Sequence, residues 1–155
     1  MSSDPRPPVD RAAADDLAHR SARAMWAADA ASAALGIELV DVGPGRARLR
    51  MTVTDAMVNG HAIAHGGLVF TLADSAFAVA CNTHGVVTVA AGADITFVAP
   101  ARLGDVLVAD AVEQVTYGRS GVTDVRVLRE GPDGGTLVAL FRGRSRSLGR
   151  AVPGS

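Results

Sequence analysis

Gly66-Gly67-Leu68-Val69-Phe70-Thr71-Leu72-Ala73-Asp74-Ser75-Ala76-Phe77-Ala78-Val79-Ala80-Cys81 is an apolar run with one charge in it. Its large apolar side chains fall on every side of a 3.6-residue helix, so no face is set aside for water. Such a helix is expected to be buried. Asp74 is then costly to ionise unless something compensates it, and carboxylates in that position are candidates for chemistry. The helix spans about residues 66–83 and stops near Gly85.

On either side the pattern changes from period 3.6 to period 2. Arg46-Ala47-Arg48-Leu49-Arg50-Met51-Thr52-Val53-Thr54 alternates polar and apolar, the mark of a strand with one wet face. Ile37–Val42 precedes it across Gly43-Pro44-Gly45, a strong turn signal, so the two read as a hairpin. Asp55–His65 is a loop that carries Asn59 and Gly60. Four further strands are expected at Val87–Val98, Asp105–Tyr117, Gly121–Glu130 and Thr136–Ser147. Pro100, Gly104, Gly118 and Gly131-Pro132-Asp133-Gly134-Gly135 supply the connections. Upstream, Asp10 to about Ala34 reads as one Ala-rich helix lying on the main body, with Gly36 as its C-terminal cap. Residues 1–9 are polar with three prolines and are expected to be disordered.

The chain is α+β. An antiparallel sheet of about six strands curling around a long central helix, with an extra N-terminal helix, accounts for the pattern. A single sheet cannot cover every side of an apolar helix, so a second chain is expected to complete the burial.

Composition narrows the function. The 155 residues suit one domain, with 48% hydrophobic and 20% charged residues. A formal net charge of −1 offers no basic field for nucleic acid, and one Trp, one Tyr and four Phe leave little for base stacking. All fifteen basic residues are Arg. The lone Cys81 sits inside the apolar helix, where a thiol is inert and a reducing cytosol fits. No signal peptide and no membrane span are expected, so the location is read as cytoplasmic.

Two glycines at a helix start leave backbone N–H groups uncovered. With the helix dipole behind them, these donors suit an anion or a developing oxyanion; close packing or a sharp turn would also use them. Asp74 returns to nearly the face of Gly67 but lies ~10 Å further along the axis at ~1.5 Å per residue. One carbonyl cannot reach both groups on one helix. If both act on it, they come from two chains, and two antiparallel helices about a twofold axis satisfy this. Asn59 can hold the acid or orient a water, or simply be a turn residue beside Gly60. Ser75 can help place a water or pack as a helix hydroxyl. His61 and His65 are four apart, but no Glu follows His61 and no third ligand is evident, so no metal site is assigned. No nucleophile elbow, P-loop or dinucleotide fingerprint is present.

The stretch from Asn59 to Ala78 closely resembles the signature of hotdog-fold acyl-CoA thioesterases, and most of all those of phenylacetate catabolism. The likeness continues through Cys81-Asn82, residues 97–105, Gly118-Arg119-Ser120-Gly121 and residues 138–143, covering roughly 35–149 as one domain. It implies dimers that pair into tetramers, with the active site between protomers. It implies Asp74 as the catalytic carboxylate, either nucleophile or base, Gly66 N–H as oxyanion donor, Asn59 as a polar partner near the thioester, and Ser75 at a helper position. His65 and Gly67 belong to the substrate-binding motif, and Arg119, Ser120 and Gly121 match a position near the nucleotide end of coenzyme A. No cofactor is implied, because coenzyme A is part of the substrate. A non-catalytic acyl-CoA sensor on the same fold is the competing class, and a thioesterase for medium-chain or other aryl esters the neighbouring one.

Overall fold

Side-chain alternation decides which surface of each strand turns inward. In β2 (Arg46–Thr52), Ala47, Leu49 and Met51 are buried while Arg46, Arg48 and Arg50 face solvent. The computed structural model of the chain describes residues 10–155. The segment 1–9, expected to be disordered, lies outside the described residues.

α1 (Arg11–Ala28) and α2 (Ala30–Ala34) lead into β1 (Glu38–Gly43) and β2. Then come α3 (Gly66–Asn82), β3 (Val86–Phe97), β4 (Val106–Tyr117), β5 (Ser120–Arg129) and β6 (Thr136–Ala151). The strands form one sheet in the order β1-β2-β4-β5-β6-β3, every pairing antiparallel. The sheet wraps α3, as the hotdog resemblance implied. Leu49, Leu107, Val125, Val127, Val138 and Phe141 of the strands meet Val69, Leu72, Ala76, Phe77 and Ala80 of the helix in a single core. Phe141 stands edge-on to Phe70 at 5.3 Å between ring centroids. Gly143 gives the helix room against the sheet: a Cβ there would lie 2.7 Å from the Phe77 ring.

Two expectations need correction. The N-terminal helix is two helices. Asp29 ends α1, and its carboxylate accepts from the Ser32 backbone N–H at 2.9 Å and the Ser32 hydroxyl at 2.6 Å, so it starts α2. A side chain that caps the next turn competes with continuation of the first helix. As expected of an apolar helix under one sheet, α3 is not buried on every side of one chain. Gly67, Thr71, Asp74, Ser75 and Ala78 form a stripe along it that remains at least partly open. The large residues are indeed distributed around the helix, but small and polar ones line this stripe, and the sheet covers the rest. The second correction is that β6 runs to Ala151, beyond the expected end at Ser147, because β3 supplies partners as far as Val86. Gly36 is as expected: with φ of 66° it lets its own N–H reach Ala33 O and the Ile37 N–H reach Ser32 O, both at 3.0 Å.

No described helix is long and apolar enough to cross a membrane.

Because Phe77 is rigid and buried, Gly143→Ala is expected to destabilise by about 1–3 kcal/mol. Gly60→Ala, where an added Cβ meets nothing within 4 Å, is expected to stay within about 0.5 kcal/mol. Urea-unfolding midpoints of the two variants test the contrast.

Candidate active site

The N-terminus of α3 is built by its cap. His65 holds an extended backbone, and its Nδ1 accepts from the Gly67 N–H at 3.0 Å. A ring nitrogen that accepts carries no proton, so the proton of the neutral ring sits on Nε2. The backbone carbonyl of His65 takes the Leu68 and Val69 N–H groups. Of the first helical donors this leaves the Gly66 N–H, which has no hydrogen-bond partner among the described residues. Gly66 is small for a second reason: a Cβ would lie 3.0 Å from the ring of Phe97.

Gly66 lines a cavity of about 520 Å³ whose walls also include Asn59, Ile63, Val69, Phe97 and Pro100. Asn59 and Gly66 are thus brought together. The Asn59 side-chain oxygen, however, accepts from the His61 N–H at 2.9 Å and shapes the loop. The side-chain amide remains its free end.

Asp74 does not line this cavity. It lies two turns along α3 on the open stripe, half-buried, with no hydrogen bond or ion pair to any described residue. Burial alone pushes its carboxyl above the ordinary value of 3.8. Ser75, next to it, is engaged elsewhere: its hydroxyl and that of Ser32 are 2.9 Å apart, and the Ser32 hydroxyl donates to Asp29. The network ties α2 to the central helix.

Arg119, Ser120 and Gly121 lie at the other end of α3. Gly118, with φ of 55°, forms the β4–β5 turn, and the Arg119 guanidinium donates to Ser147 O at 2.9 and 3.2 Å. Gly121 admits the Ser145 hydroxyl, which a Cβ would meet at 2.8 Å. Arg119 and Ser120 share a cavity of about 290 Å³ with Cys81, His84 and Glu113. One chain therefore separates the arginine from Gly66 by the length of the central helix, and only antiparallel copies would bring the two ends together.

Sequence reading missed two features. His84 pairs with Glu113 at 2.8 Å, a hydrogen bond that raises the imidazole pKa above its ordinary value. Neither residue has a motif around it. Met25 and Trp26 of α1 form, with Ser75, Ala78 and Val79, a cavity of about 270 Å³. Cys81 is as expected, a buried thiol pushed up to about 12 by desolvation. No group of three or more potential metal ligands occurs among the described residues.

A glycine-opened helix start facing an apolar cavity, under a sheet wrapped on that helix, defines a class. The model of the thioesterase superfamily matches residues 61–136. The acyl-coenzyme A thioesterase PaaI of Escherichia coli K12 is 41% identical over 137 residues, covering 88% of this chain and 96% of that one. The chain belongs to the thioesterase superfamily. The solved structure of the E. coli PaaI protein from the phenylacetic acid degradation operon superposes with a TM-score of 0.84 at 40% identity, covering 88% of this chain and 97% of that one. A mutant of the phenylacetic acid degradation protein PaaI from Thermus thermophilus gives 0.71 at 37% identity, with 76% and 97% covered.

The raised carboxyl pKa of Asp74 has a consequence for stability. Between 3.8 and its folded value, the folded chain holds more protons than the unfolded one. Stability therefore falls as pH rises through that window, and the ionised group is a net cost above it. Asp74→Asn is expected to melt at a higher temperature than the parent at neutral pH. The gap should narrow as pH is lowered towards 3.8, and calorimetry across pH reads both.

Proposed function

We propose that the chain hydrolyses acyl-CoA thioesters, phenylacetyl-CoA and its ring-hydroxylated relatives among them, to the free acid and CoA. One observation carries the reading. Gly66, whose amide is unpaired, lines an apolar cavity at the start of α3, while an unpaired, desolvated carboxylate lies two turns along the same helix. The likeness to the E. coli and T. thermophilus PaaI proteins supports the substrate class.

In this reading the thioester oxygen accepts from the Gly66 N–H of one protomer, where the helix end stabilises the charge that grows in the transition state. The partner subunit's Asp74 approaches the carbonyl carbon. As a base it takes a proton from water, hydroxide adds to the carbon, the C–S bond breaks and CoA leaves as the thiol after accepting the proton. As a nucleophile it adds to the carbon and the C–S bond breaks, giving a mixed anhydride and CoA thiolate. Water then opens the anhydride to the free acid and the regenerated carboxylate, and the proton released goes to the thiolate. Both routes balance with ester and water alone, so no metal or redox cofactor is required. The Asn59 amide serves as a polar partner at the thioester. His65 and Gly67 present the oxyanion donor, Ser75 helps fix the acid's turn of the helix, and Arg119, Ser120 and Gly121 meet the nucleotide end of CoA.

A homodimer follows from this reading. The open stripe on α3 needs cover, and the edges of the sheet differ. β1 is short and packed against α1, whereas β3 is a 12-residue edge strand ending at the exposed Phe97 beside Gly66. We place the twofold contact along β3 and α3. Pairing of dimers into a tetramer and a reducing cytoplasmic location complete the proposal.

Purified protein mixed with phenylacetyl-CoA and a thiol-reactive chromophore is expected to release free CoA. Asp74→Ala should lower kcat by about 10²–10⁴-fold. Tight binding of the ester without thiol release would identify a sensor instead, and a full rate in the variant would remove Asp74 from the chemistry.

A further inference from the structure

The cavity beneath α1 touches the central helix beside Asp74 without belonging to the amide site. We infer that α1 supplies the acyl-group wall of the active site, and that Trp26 sets a preference for flat, bulky acyl groups over short ones. The inference rests on the thioesterase reading and assigns its specificity element.

Position is the first argument. The cavity is lined by Met25, Trp26, Ala28 and Asp29 from the N-terminal helices and by Ser75, Ala78 and Val79 from α3. Ser75 follows Asp74 in the chain, and Ala78 lies one turn beyond it, where Cβ atoms four apart are ~5–6 Å distant. In an arylacetyl ester one methylene joins ring and carbonyl, so a carbonyl against Asp74 puts the ring about one helical turn away. The chain that supplies Asp74 would thus also supply the acyl pocket, and CoA would enter over the protomer that supplies Gly66.

Size and chemistry agree. The cavity holds about 270 Å³, and an apolar cavity of about 150 Å³ accommodates benzene. Ala28 and Ala78 leave the room, while Trp26, Met25 and Val79 offer an aromatic face and apolar edges. Trp26 is partly buried and packs on the core, so it is held but not sealed.

The wall is fixed in place. Asp29 caps α2, and the Asp29–Ser32–Ser75 hydrogen bonds tie that junction to the turn of α3 bearing the acid. Ala18, Ser21 and Ala22 of α1 are buried, and Leu17 fills the space over Gly85, where a Cβ would lie 2.9 Å from its side chain. A rigid wall discriminates by shape, whereas a mobile one would adapt.

Trp26 is the only tryptophan in the chain, so its emission reports this pocket directly. The test uses the full chain carrying Asp74→Asn, which holds an ester with little turnover. Phenylacetyl-CoA is expected to change the emission saturably, and acetyl-CoA, competing for the same site, to leave it unchanged. In turnover assays on the otherwise native protein, Ala78→Leu fills the pocket from its floor. It is expected to lower the ratio of kcat/KM for phenylacetyl-CoA over acetyl-CoA by about tenfold or more, and Trp26→Ala to lower the same ratio. Equal emission changes with both esters, or an unaltered ratio in both variants, overturns the assignment and leaves the thioesterase reading standing. Failure of the native protein to hydrolyse either ester overturns that reading and this inference with it.

Discussion

The length of one helix constrains everything else in this molecule. The Gly66 amide and the Asp74 carboxylate belong to the same α3, eight residues apart, so ~12 Å of rigid rise separates them at ~1.5 Å per residue. The cap at His65 sharpens the constraint. By taking the Gly67 N–H and the two donors that follow, it leaves one amide free at one end of the segment. The acid, without a partner among the described residues, waits two turns away on a stripe the sheet does not cover. Both groups are in the costly condition that functional sites tolerate and structural sites avoid.

The sheet serves this helix. Its inward alternation buries the large side chains of α3 and leaves out the stripe of Gly67, Thr71, Asp74, Ser75 and Ala78. Its outward face carries ion pairs among exposed apolar side chains such as Val112 and Leu140, with Arg142 bound bidentately to Asp124 at 2.6 and 2.7 Å and Arg48 to Asp110. Such exposed pairs contribute little to stability one by one. They keep the outer surface hydrated while the apolar margin near Phe97 and Val98 stays exposed beside the amide cavity. The N-terminal helices close one flank of the stripe, and the proposed partner helix the other.

Much of this was legible in the sequence because local rules and the global fold agree. Alternation in residues 46–52 gave a strand, glycines marked turns, and Gly36 stopped a helix by the route its φ requires. The one charge in an apolar helix singled out Asp74, which the fold leaves half-buried and without a partner among the described residues. What escaped depended on tertiary contacts. Asp29 breaks the first helix because its side chain is better used as a cap for the next one, which an Ala-rich pattern hides. Ser75 turns to Ser32, forty-three positions away in the chain. Arg119 sits at the far end of α3 from Gly66, and no spacing rule reports which end of a helix a distant hairpin reaches. The Trp26 cavity is formed by elements whose approach is set by buried Ala18 and Ala22, residues with no signature of their own.

The central claim is that one reaction centre draws its amide from one subunit and its acid from the other. Mixed dimers test it most directly. Asp74→Asn removes the acid, and Gly66→Pro removes the amide hydrogen at a position where proline suits a helix start, paired with Phe97→Leu to clear the ring that a Cβ there would meet at 3.0 Å. Each protein alone should be inactive. Unfolded together and refolded at equal concentrations, half the dimers pair unlike chains, each with one intact centre, so activity should return to about a quarter of the parent value. A mixture that stays as inactive as its components would contradict the account.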